Sequence, residues 1–162
     1  MLTSAAGDIG FKLHKILNGS IIVLALLTVL EGAALTEWSA MATIFMTLGA
    51  NAVAEAFSRG LADEIASKRR VTFSKATDLL RSSLIVVTPG IVPAVAFIAV
   101  SAGWLPLGKA FVGACWFLVF VLFAAGYIAC TVGGGKVWRG LLYGAAISTF
   151  GLGIVALRLM TV

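Results

Sequence analysis

The chain has 162 residues, of which 60% are hydrophobic and only 12% are charged, with a formal net charge of +5 at pH 7. Soluble domains typically carry about 25% charged residues, and a chain of this size cannot bury so large an apolar excess in its own interior. The composition therefore excludes an ordinary water-soluble domain. It predicts one integral membrane domain over residues 1–162.

Apolar stretches, taken in chain order, predict an all-α bundle of five transmembrane helices. Before the first of them, Asp8, Lys12 and Lys15 have the spacing of a short surface helix over residues 1–15. Each stretch has about 20 residues, the length that crosses a hydrocarbon core of about 30 Å. The predicted spans are residues 16–35, 38–58, 79–102, 109–132 and 137–160.

The only substantial polar stretch lies between the second and third spans. Phe57, Leu61 and Ile65 recur every four residues around its start, which is the spacing of one face of a helix. We therefore expect the second span to continue as an amphipathic helix, and residues 59–78 to form a cytoplasmic amphipathic stretch.

Proline and glycine mark the irregular points of the predicted bundle. Pro89 and Pro93 lie inside the third span, where each removes a backbone donor and favours a kink. The three glycines at 133–135 separate the fourth span from the fifth, as expected for residues that break helices.

The distribution of basic residues predicts the orientation. With five spans, ten of the twelve Lys and Arg residues lie on the side of the N-terminus, and only Lys109 and Arg158 lie on the other. Because basic residues concentrate on the cytoplasmic side, we expect the N-terminus in the cytoplasm and the C-terminus outside, in a bacterial plasma membrane. The same basic loops predict contact with anionic lipid headgroups, and nucleic acid is not an expected partner.

Motifs of soluble enzymes are absent from the sequence. The chain has a single histidine, His14, and its two cysteines, Cys115 and Cys130, lack metal-type spacing. No phosphate-binding loop or zinc-protease motif is present. We therefore expect no catalytic residues, no cofactor and no enzymatic activity.

Two carboxylates lie inside predicted spans, where an ionisable group is costly and often functional. Glu55 shares a helix face with Asn51 and Arg59, at four residues on either side. It either pairs with Arg59 at the interface or forms a cation or proton site with Asn51 and a neighbouring span. Glu31 lies near the outer end of the first span, and its depth decides whether it contacts headgroups or ions.

The last two spans differ in the size of their side chains. Gly140, Gly144 and Ser148 recur every four residues in the fifth span, which allows close helix contact either within the monomer or at a dimer seam. The fourth span instead carries large aromatic residues and is expected to face lipid or a partner: Trp116, Phe117, Phe120 and Phe123.

Four stretches of the chain resemble the vacuolar iron transporter family. They are LNGSIIVLALLTVLEGA at 17–33, ANAVAEAFSRGLADE at 50–64, TPGIVPAVAF at 88–97 and RGLLYGAAISTFGLGIVALRLM at 139–160. They are similar to the first, second, third and last spans of that family, and the number and orientation of the spans agree. The resemblance implies a homodimer with a path between protomers.

The resemblance also places the candidate metal ligands. Asn18 corresponds to the family's pore Asp, and the family's Ser-Met pair falls near Ala54 and Glu55. A glutamate is a harder oxygen ligand than methionine and suits hard cations or protons. Glu55, Asn51, Asn18 and Glu31 are therefore the candidate metal-site residues.

Two functions follow from these observations. One is a divalent-cation transporter or cation/proton exchanger, with a divalent metal as its substrate. The other is a non-catalytic structural or accessory subunit that packs against other membrane proteins.

Overall fold

A computed structural model describes the backbone of residues 2–32, 36–68, 70 and 72–161. Every regular element in these ranges is helical. The elements are α1 (Leu2–Gly32), α2 (Glu37–Ser67), α3 (Phe73–Ser83), a 3-10 segment (Leu84–Gly90), α4 (Ile91–Ser101), α5 (Leu107–Val132) and α6 (Val137–Thr161).

Five helical stretches are long and apolar enough to cross a membrane, which confirms the predicted all-α, five-span fold. They are Ile9–Glu31, Glu37–Ser67, Phe73–Ser101, Leu107–Val132 and Val137–Ala156. The chain is thus an integral membrane protein, and the cytoplasmic position of its N-terminus stays a prediction.

The predicted separate surface helix over residues 1–15 is wrong. α1 runs without a break from Leu2 to Gly32, and Lys15 is only 1% exposed. A continuous helix satisfies its own backbone hydrogen bonds wherever it meets lipid, so no turn is needed at the start of the apolar stretch. The side chain of Asp8 lies outside the described residues.

The third span is one helical path with an altered middle. α3 leads into the 3-10 segment Leu84–Gly90, which contains Pro89 and continues directly into α4. Proline has no N–H to donate, and its ring clashes with the carbonyl four residues earlier. Where the sequence predicts a kink, the structure therefore has a segment of 3-10 helix, which is wound more tightly than an α-helix. Such segments often mark a hinge.

α5 lies at the centre of the bundle and packs against α6, α1 and α4. Its inward side buries Phe111, Leu118 and Leu122, and the Phe111 ring meets Phe97 of α4 edge-on with centroids 5.0 Å apart. The outward side exposes Trp116, Phe117 and Phe120, as predicted, whereas Phe123 is half-buried. α5 is thus both a core helix and a surface helix.

The small residues of α6 face α5 within the same chain. A Cβ atom added to Gly144 would lie 2.7 Å from the Phe123 carbonyl oxygen, and one added to Gly140 would lie 2.9 Å from the Tyr127 ring. Close approach of this kind is how helices pack tightly in membranes. Of the two predicted alternatives, packing within the monomer is therefore the one that the structure shows.

We expect Gly144→Ala to destabilise the protein, because the new methyl group meets a backbone carbonyl that cannot rotate away. Such overpacking costs about 1–3 kcal/mol. The measurement is the midpoint of thermal unfolding in detergent. Gly153→Ala is the matched control, because a Cβ there meets nothing within 4 Å and alanine is the better helix former by about 0.5–1 kcal/mol. Equal midpoints for the two variants would contradict the packing described here.

Candidate ion site

The ammonium group of Lys15 is buried among three helical elements. Its Nζ lies 3.0 Å from Glu55 Oε1 of α2 and donates a hydrogen bond of 3.1 Å to Ser83 Oγ at the end of α3. The side chain is 1% exposed. An unpaired charge is very costly to bury, so these contacts tie α1, α2 and α3 together at one level.

Glu55 is shared by two cations. Arg59 Nη2 lies 3.0 Å from the same Oε1 atom that contacts Lys15. This is the predicted ion pair between Glu55 and the residue four positions later on α2. Both cationic groups lie over the ring of Phe11, with Lys15 Nζ at 4.9 Å and Arg59 Cζ at 4.4 Å from its centroid. The aromatic face adds attraction for both charges.

A close contact between α1 and the 3-10 segment sets the position of Lys15. A Cβ atom at Gly19 would collide with the carbonyl oxygen of Val86 and would lie 3.2 Å from Pro89 Cγ. Glycine therefore lets α1 approach the backbone of this segment. Because Ser83 directly precedes the segment, the approach brings Ser83 within reach of Lys15, one helical turn before Gly19.

Two buried polar atoms on α2 have no hydrogen-bond partner among the residues that the structure describes. They are Glu55 Oε2 and Asn51 Nδ2, and they lie one helical turn apart, as the sequence predicts. Buried polar groups nearly always have partners, so this pair of side chains is suited to hold a water molecule or a small ion. The Asn51 amide presents either its oxygen or its nitrogen, because the two differ only by a flip.

The other two predicted ligands, Asn18 and Glu31, both lie on α1. Asn18 is half-buried and follows Lys15 by three residues on α1. Glu31 is 16 residues from Lys15 along the same helix, which amounts to about 24 Å. Glu31 thus cannot bind the same ion as Glu55, and the four candidates do not form one metal site.

The depth of the site follows from helix length. Glu55 is 18 residues from Glu37, the first residue of α2, or about 27 Å along the axis. Glu31 and Glu37 therefore lie near one boundary of a hydrocarbon core of about 30 Å, whereas Lys15 and Glu55 lie just inside the other. We place the ion site at the boundary that the basic residues predict to be cytoplasmic.

The charge of the site is unsuited to a divalent metal. One carboxylate contacts two cationic groups, so the centre carries a net positive charge. Within the described part of the chain, no three His, Cys, Asp or Glu side chains come together in a way that could hold a metal ion. Divalent cations in proteins are normally held by several oxygen or nitrogen ligands.

Sequence reasoning identified Glu55, Asn51 and Arg59 but missed Lys15, Phe11 and Ser83 as members of the site. Helical spacing relates residues on one helix and does not say which helix lies opposite. One signal was available, because the apolar stretch of α1 between Ile9 and Glu31 includes Lys15. A lysine inside an apolar span needs a buried acidic partner or a route to the interface.

Substitution of Lys15 and substitution of Glu55 should lower the free energy of unfolding by different amounts. Glu55→Gln removes the negative charge that compensates the buried Lys15 ammonium and should cost about 3–5 kcal/mol. Lys15→Met leaves Glu55 paired with Arg59 and should cost less, about 1–3 kcal/mol. The double variant should be more stable than Glu55→Gln alone, because no unpaired ammonium remains.

Thermal unfolding of the four proteins in detergent, analysed as a double-mutant cycle, tests this ordering. Asp63→Asn is the control, since it breaks the exposed Lys75–Asp63 ion pair of 3.1 Å and should cost less than about 1 kcal/mol. Additive effects of the Lys15 and Glu55 substitutions would contradict the direct pairing.

Comparison with known proteins found no protein-family model, no curated protein and no solved structure that matches the chain.

Proposed function

We propose that the protein is a cation/proton exchanger in which the Glu55 carboxylate binds a proton and a small monovalent cation in turn. The observation that carries the proposal is the buried contact of Glu55 with Lys15, beside a Glu55 oxygen with no partner among the described residues. Ionisable groups within membrane spans usually mark ion or proton pathways.

The charge of the site favours a monovalent cation over a divalent one. Lys15 and Arg59 both contact Glu55, so two positive charges face one negative charge. If Lys15 withdraws, Glu55 and Arg59 together are neutral, and an arriving divalent ion would leave two uncompensated positive charges. A proton or a monovalent cation leaves only one, so the site favours single charges over iron-like metals.

Lys15 acts in this proposal as a tethered cation. Its ammonium contacts Glu55 Oε1, whereas a substrate cation would contact Oε2 of the same carboxylate, so the two positive charges compete for Glu55. Ser83 holds the ammonium through a neutral hydrogen bond of 3.1 Å, and Phe11 attracts it from a second direction. Lys15 therefore keeps partners when it releases Glu55, which lowers the cost of the exchange.

Asn51 supplies the neutral ligand. It lies one turn from Glu55 on the same helix face, and a carboxamide oxygen beside a carboxylate oxygen is a donor pair that hard cations prefer. The proton needs only Glu55, whereas the metal cation needs both residues. Loss of Asn51 should therefore weaken cation binding more than proton binding.

The test is proton flux in proteoliposomes that contain a pH-sensitive dye. Outward gradients of Na⁺, K⁺ or Li⁺ should each be imposed in turn, with Mn²⁺ as the divalent comparison. We expect at least one monovalent gradient to drive proton movement and Mn²⁺ to drive none. Lys15→Met/Glu55→Gln, which removes the carboxylate without leaving a buried lysine, should reduce the flux to the level of empty liposomes.

Asp63→Asn is again the matched control and should exchange at the rate of the unsubstituted protein, because its carboxylate is exposed and outside the site. Full exchange by the double variant would overturn the role of Glu55. Absence of exchange with all three monovalent cations would overturn the exchanger and leave the accessory-subunit hypothesis. Transport of Mn²⁺ alone would overturn the charge argument and favour a divalent metal substrate.

A further inference from the structure

An apolar groove of about 350 Å³ runs between α2 and α3, on a face separate from the ion site. α2 contributes Val53, Phe57 and Leu61, and α3 contributes Ala76, Leu79 and Leu80. The Phe57 and Leu61 side chains are 72% and 48% exposed, so the groove is open along its length. Among the described residues, Glu64 is the one charged residue that lines the groove, at the end nearest the α2–α3 connection.

The groove crosses the boundary between hydrocarbon and headgroups. α2 has 31 residues, or about 46 Å, so its last ten or so residues extend beyond a hydrocarbon core of about 30 Å. Val53 lies inside the core, two residues before Glu55, and Leu61 lies outside it. A ligand that fills the groove must therefore be apolar at one end and polar at the other.

The polar stretch that contains this end of the groove is basic overall. Residues 59–81 hold six Lys or Arg residues against three Asp or Glu residues. Lys68 and Arg70, at the α2–α3 connection, are exposed and form no ion pair with any residue that the structure describes. Basic residues at a membrane surface attract anionic headgroups, and phosphate is a preferred partner of arginine.

We propose that the groove binds one anionic phospholipid, with an acyl chain between α2 and α3 and its phosphate at Lys68 and Arg70. The ion pair of Lys75 with Asp63 joins the two helices beside the groove and keeps its width. A second copy of the chain is disfavoured as the occupant, because it would bring two sets of unpaired basic residues together. A zwitterionic lipid could place the same acyl chain in the groove, but it lacks the net negative charge that Lys68 and Arg70 attract.

Native mass spectrometry of the purified full-length protein, titrated with single lipids in detergent, tests the proposal. Phosphatidylglycerol should bind at least tenfold more tightly than phosphatidylcholine or phosphatidylethanolamine. Lys68→Gln/Arg70→Gln should weaken phosphatidylglycerol binding roughly 10- to 30-fold, as expected for two surface cations, and leave phosphatidylcholine unchanged. Ala76→Phe, which fills the groove, should weaken both lipids.

Lys136→Gln/Arg139→Gln is the matched control, because it removes the same charge from two exposed positions, one just before α6 and one in its first turn. Its affinity for phosphatidylglycerol should equal that of the unsubstituted protein. Equal losses in the two double variants would show attraction to general surface charge and overturn the specific site. Equal binding of all three lipids would overturn the recognition of an anionic headgroup.

Discussion

The constraint on which this structure most depends is that a buried ammonium group needs partners. Lys15 is almost fully buried, and both groups that satisfy it come from other parts of the chain: Glu55 from α2 and Ser83 from α3. A charge left alone at this depth is strongly unfavourable. The three helices are therefore fixed to one another at the level of this residue, whatever the apolar packing elsewhere allows.

The same constraint gives the irregular third span a role. Ser83 is the last residue of α3, and the 3-10 segment that follows it packs against Gly19, one turn after Lys15. Movement of that segment would change the distance between Ser83 and Lys15, and with it the balance between Ser83 and Glu55 as partners. A 3-10 stretch beside proline has poorer hydrogen-bond geometry than an α-helix, so we expect it to deform more easily than a regular helical stretch.

Sequence patterns were sufficient for properties that depend on a single helix. Span length and hydropathy predicted five spans, and spacing by four predicted both the Glu55–Arg59 pair and the shared face of Asn51 and Glu55. They were insufficient where two distant segments meet. Lys15 was placed on a surface helix because nothing along α1 shows that Glu55 lies opposite. The sequence also places Glu31 and Glu55 near opposite ends of their spans, and helical rise along α1 puts Glu31 about 24 Å from Lys15, which contacts Glu55.

α2 carries both proposed sites on different sides. Glu55 and Asn51 face the ion centre, whereas Val53 and Phe57 line the lipid groove. The opposite wall of that groove is α3, and α3 ends at Ser83, the second partner of Lys15. An acyl chain between the two helices therefore bears on the spacing that places Ser83 beside the ammonium.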